Sequence, residues 1–81
     1  MSTPDGKKLL LQQLQEDLEY QKDKLAEAER DIAVAEAAIE LWEYLGDEEE
    51  LKFRRPALPN LRRQKQQIEQ EISRLEKAID A

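Results

Sequence analysis

The sequence predicts an all-α fold, an antiparallel helical hairpin of coiled-coil character, and three observations carry that expectation. Of 81 residues, 40% are hydrophobic and 40% are charged, with only 2 glycines, a composition typical of long helices and coiled coils. Apolar residues recur with a seven-residue period through the first half of the chain and again near its end. Between the two periodic stretches lie Gly46, Pro56 and Pro59, residues that interrupt helices. The expected elements are a helix over about 5–45, a short turn of helix over about 48–55 and a helix over about 60–80, all in a single domain, 1–81.

The first helix is read from its seam. Leu11, Leu18, Leu25, Ile32 and Ile39 fall at heptad position a; Leu14, Gln21, Ala28, Ala35 and Trp42 fall at d. Nine of these ten sites are apolar, which calls for a partner helix along the whole seam. Gln21, the polar site, reads as a register-setting or partly exposed position. Thr3 and Pro4 form a plausible start, a hydroxyl cap followed by proline in the first turn. Gly46 forms a stop, because glycine adopts the left-handed cap without steric cost. A helix of about 40 residues would be about 60 Å long. Six alanines crowd its second half between Ala26 and Ala38. There Val34, Ala38, Leu41 and Leu45 make a second apolar row beside the seam, so two packing partners are expected at that level, as in a bundle.

After Gly46, Asp47 can cap a new turn and Glu50, three residues on, can complete a capping box. The stretch Pro56-Ala57-Leu58-Pro59-Asn60 reads as non-helical. Asn60 then caps the last helix, whose seam is Leu61, Lys65, Ile68, Ile72, Leu75 and Ile79. That helix, about 21 residues or 31 Å, would cover only about half of the first, near 25–45.

Charge is blocked along the chain. Residues 36–50 hold seven acids and no base; residues 51–65 hold six bases and no acid. An antiparallel fold sets the blocks side by side, with Lys65 reaching towards Glu36, Glu40 or Glu43. Each exposed pair is worth about 0–1 kcal/mol, so charge selects an orientation without driving the fold.

The mismatch in length carries the functional reading. Leu10, Leu11, Leu14 and Leu18 are expected to lack an intrachain partner, and a lone two-helix hairpin has little core. The expectation is therefore a homodimer closed into a four-helix bundle, with self-association through Leu10, Leu11, Leu14, Leu18, Leu25, Ile32, Val34 and Leu41. In layout, two antiparallel helices pairing with a second copy, the chain resembles the Rop-type RNA-binding bundle in architecture alone, without a shared motif, and that likeness implies nothing about function.

The residues present also bound the chemistry. There is no Cys and no His, which removes thiol nucleophiles, imidazole bases, zinc-finger ligand sets and the Glu-x-x-His motif of bundle di-iron sites. The run Asp47–Glu50 lacks the alternating ligands of a calcium loop. Ser73 has no base near it in sequence. No catalytic, cofactor or metal residues are assigned, and no small-molecule substrate is expected. The apolar runs are too short for a secretory leader or a membrane span, so a soluble, cytoplasmic protein is expected. The function expected is a non-catalytic protein–protein interaction module, acting on itself and on another protein in an assembly, adaptor or inhibitor role. Leu9, Leu10, Tyr20, Tyr44, Leu51 and Phe53 are the contacts the hairpin can spare, whereas Trp42 reads as core. The alternative is a dimer that grips nucleic acid through Phe53, Arg54, Arg55, Arg62 and Arg63, against which stand the net charge of -6 and the neighbouring acids.

Overall fold

The computed structural model of the chain describes residues 4–81, and the Thr3 cap expected above lies outside them. Three helices follow one another: α1 (Pro4–Leu45), α2 (Glu48–Arg54) and α3 (Ala57–Asp80). At 1.5 Å per residue the 42 residues of α1 span about 63 Å. The whole molecule measures 64 × 15 × 14 Å. A chain that reverses within that width must lay its second limb back along α1, and both α2 and α3 pack on α1.

The reversal is built from two joined caps. Gly46 sits at φ 69°, in the left-handed region. Its N–H donates to the Glu43 carbonyl at 3.1 Å, and the Asp47 N–H donates to the Trp42 carbonyl at 3.1 Å. These paired bonds form a Schellman closure that satisfies the Trp42 and Glu43 carbonyls in the last turn of α1. Asp47 then caps α2, its Oδ1 accepting from the Glu50 N–H at 3.1 Å. The other half of the expected capping box is absent. The Asp47 N–H is already spent on Trp42, and the Glu50 carboxylate instead accepts from Arg54 Nε at 3.1 Å.

The last helix starts earlier than its prolines suggest. Pro56 is the N-cap, Ala57 opens the helix, and Pro59 lies inside its first turn. The first four N–H groups of any helix lack an acceptor within it, so a proline there sacrifices no hydrogen bond. Asn60, expected as the cap, instead accepts from Arg63 Nη1 at 3.4 Å.

That early start, together with α2 folding back, lengthens the returning limb. Residues 48–80 lay about 50 Å of helix against α1 at 1.5 Å per residue. Ala35 and Ala38 share a groove with Ala57, and Gln21 and Lys24 share one with Ile68 and Glu71. Stepping back along α1 for each step forward along α3 puts Leu75 between Leu14 and Leu18, and Ile79 beside Leu14. Burial agrees: Leu75 is buried, and Leu14, Leu18, Leu25 and Ile79 are half-buried. The expected cover of 25–45 is therefore corrected to one reaching Leu14. Only the first two turns overhang, where Leu9, Leu10 and Leu11 are 66%, 56% and 40% exposed.

The core is thin. Ala28, Ile32, Leu51 and Leu75 are its buried apolar residues, and Leu51, at 1% exposed, is the deepest. Leu51 is the peg that holds α2 down, which corrects its expected place among the spare contact residues. In an amphipathic helix of 7 residues the one large aliphatic side chain turns inward, and Phe53, two positions on, is left outside.

Candidate interaction surface

The charged blocks do not meet as expected. Arg54 pairs with Glu50 at 3.1 Å, Arg55 with Glu48 at 3.9 Å and Arg74 with Glu71 at 2.7 Å. All three pairs are local, and among the described residues no ion pair links α1 to α3. Lys65 does not reach Glu36, Glu40 or Glu43: with α3 starting at Ala57, Lys65 stands two turns further down, near Glu27 and Ala28. The guanidinium of Arg54 also lies 5.7 Å from the centre of the Trp42 ring. Glu50, Arg54 and Trp42 thus form a chain of polar and aromatic contacts that docks α2 on α1, a role the sequence reading had not given them. Trp42 itself is half-buried.

The residues expected at a self-interface fall into three groups. Ile32 is buried, and Leu14, Leu18 and Leu25 are half-buried against their own chain; Ile32 is thereby removed from any external surface, because the returning limb already covers it. Leu10 and Leu11 remain open on the overhang. Val34 and Leu41 remain open in the C-terminal third of α1, 64% and 52% exposed.

Around these last two the structure gathers a continuous apolar face. Beside the seam of α1, Val34, Ala37, Leu41, Tyr44 and Leu45 are exposed and form an apolar strip with half-buried Ala38 at its edge, and exposed Glu36, Glu40 and Glu43 lie on the other flank of the helix. Leu45 is 57% exposed and Tyr44 87%. Next to them an open groove of about 480 Å³ is lined by Ala35, Ala38, Glu50, Phe53, Arg54 and Ala57. Phe53, 85% exposed, stands at its edge, so α2 extends the α1 face. The second apolar row was legible from Val34, Ala38, Leu41 and Leu45. That Phe53 adjoins it was not, because its place depends on which side of α2 Leu51 turns inward.

The basic residues expected to grip nucleic acid are all exposed: Arg54, Arg55, Arg62 and Arg63. Two of them are already engaged by carboxylates of α2. Among the described residues no three acidic side chains converge to hold a metal ion, and no helix is long and apolar enough to cross a membrane. No protein-family profile, curated protein or solved structure matches the chain.

Proposed function

We propose that the protein is a non-catalytic helical-hairpin module that works by self-association, pairing two copies into a four-helix layer. In this reading it acts in the cytoplasm and presents the resulting rod to other proteins. The observation that carries it is the exposed apolar strip of α1 made by Val34, Ala37, Leu41, Tyr44 and Leu45, continued by Phe53. A solvated helix face in a stable monomer is ordinarily charged, and contiguous apolar patches mark interaction sites.

The surface area points the same way. The chain exposes 6657 Å², whereas a compact monomer of 9.5 kDa exposes about 5,000 Å². The difference is of the order that specific protein interfaces bury. The four-residue core gives the isolated hairpin a further reason to associate. The self-association surface differs from the one first expected: it keeps Val34 and Leu41, loses Ile32 to the interior, and gains Ala37, Ala38, Leu45 and Phe53.

Sedimentation equilibrium or light scattering at micromolar concentration tests this directly. The expected mass is twice 9.5 kDa, falling to one copy on dilution. A stably folded monomer at every concentration would refute the reading.

A further inference from the structure

We infer that the second copy docks antiparallel across the Val34–Leu45 face, with the twofold axis between Ala37 and Ala38. This rests on the self-association just proposed and adds its orientation and register.

Two observations fix the arrangement. Small side chains allow two helices to cross closely, and they lie at the middle of this strip: exposed Ala37 and half-buried Ala38 are flanked at three residues' distance by Val34 and Leu41. A twofold axis there sets Val34 of each copy against Leu41 of the other, so the patch meets itself.

Charge then selects the direction. Below the apolar face, the outward side of α1 carries Asp17, Asp23, Lys24, Glu27, Arg30 and Asp31, all exposed. A parallel pair would set each of these against its own copy, acid on acid at Asp17, Asp23, Glu27 and Asp31. It would also bring the two Asp47–Glu50 runs together. The antiparallel pair sends the charged halves outwards in opposite directions, where water solvates them. It also brings Arg30 of one copy to Leu45 of the other, beside the acidic run that begins at Asp47. Arg30 is the sole base between Lys24 and Lys52, and among the described residues it has no ion-pair partner of its own. Unlike charges across an interface set register in this way.

The geometry has a reach that can be measured. Two rods of 64 Å sharing residues 30–45 overlap by about 22 Å at 1.5 Å per residue, so the dimer should be roughly 100 Å long. A parallel dimer would be little longer than one copy.

Cysteine cross-linking decides the matter, since the chain has no cysteine of its own. In the full chain, Ala38→Cys should oxidise to a covalent dimer at least tenfold faster than Leu45→Cys, whose two thiols would sit about 22 Å apart. A mixture of Arg30→Cys and Leu45→Cys copies should cross-link to each other. Arg30→Glu should weaken the dimer about tenfold at low salt and less at high salt. Small-angle scattering on the unsubstituted protein, which carries no folding risk, should give the long dimension.

A dimer that cross-links best through Leu45→Cys with itself, or that measures near 64 Å, overturns the antiparallel arrangement while leaving self-association standing. A dimer indifferent to both cysteines places the interface on another face and overturns it equally. A monomer in all of these assays removes both proposals.

Discussion

The two halves of α1 share one seam and differ on their backs. Along the seam, the lower half offers Leu14, Leu18 and Leu25 and the upper half Ile32, Ile39 and Trp42, all buried or half-buried beneath the returning limb. On the outward side, six of the seven positions Asp17, Tyr20, Asp23, Lys24, Glu27, Arg30 and Asp31 are charged. None of the six positions Val34, Ala37, Ala38, Leu41, Tyr44 and Leu45 is, although exposed Glu36, Glu40 and Glu43 lie on the other flank of the same stretch. A helix needs one apolar stripe to fold against one partner, and the lower half has one. The upper half has two, and its own chain fills only the first. The back of a helix thus reports whether anything further is meant to cover it, independently of how well the front is packed.

The largest expected effect falls on the element that sets the halves apart. Leu51 is the buried apolar anchor of α2 on the upper half of α1, beside the Arg54–Trp42 contact, and Leu51→Ala should lower stability by about 2–5 kcal/mol, the range for truncating a buried leucine. In so thin a core that loss should bring the thermal transition, followed by circular dichroism, close to room temperature. If the melt barely moves, α2 is not a structural part of the upper half and the groove beside Phe53 loses its wall.

Exchanging the characters of the two backs comes next. Leu41 and Glu27 occupy equivalent outward positions two heptads apart. Leu41→Glu should raise the dissociation constant of the dimer about a hundredfold, the weight of about 2.7 kcal/mol, while leaving the helical circular-dichroism signal of the monomer intact. Glu27→Leu, below the shared stretch 30–45, should change the dissociation constant little. Equal effects of the two on dimer mass would show that the halves do not differ as their surfaces suggest.

Much of this contrast was legible before the fold was known, for reasons that differ by region. The seam and its second row follow from spacing alone, since 3.6 residues per turn place Val34, Ala38, Leu41 and Leu45 on one side whatever surrounds them. Gly46 and Asp47 were legible because left-handed backbone and side-chain capping are local. The reach of the returning limb was not. It hinged on Pro56 and Pro59, which a pattern reading treats as breakers, although the N-cap and the first turn of a helix tolerate them. Moving the start of α3 to Ala57 and folding α2 back changed which α1 residues have cover. It drew Leu14 and Leu18 under the chain and carried Lys65 away from its supposed acids. Ion pairing between the charge blocks also failed to follow, because Arg54 and Arg55 found carboxylates within their own turn.

Smaller effects separate the corner from the rod. Gly46→Ala should cost about 1–2 kcal/mol, the penalty of a left-handed residue with a β-carbon. Added atoms there meet nothing within 4 Å, so the whole cost is backbone strain. Asp47→Ala, losing the bond to the Glu50 N–H, should cost about 1 kcal/mol. Both should loosen the corner that orients α2, and so weaken association as well as stability in urea titrations.

The smallest expected effect is on the lower back, and it sharpens the contrast most. Lys24 lies 5.5 Å from the centre of the Tyr20 ring, one turn along α1 and exposed to water. Such a contact is worth about 0.5–1 kcal/mol at most, and Tyr20→Ala should move the melting transition by a few degrees or less. Tyr44, at the end of the upper half's apolar strip, is the more exposed tyrosine and has no ring contact with a cation among the described residues. Judged by intrachain contacts alone, Tyr44→Ala should therefore matter less than Tyr20→Ala. If the upper back is an interface the order reverses. Tyr44→Ala should then weaken the dimer several-fold while Tyr20→Ala leaves its dissociation constant unchanged, because tyrosine is a frequent anchor where a surface is covered. Sedimentation of the two variants at one concentration reads that order directly.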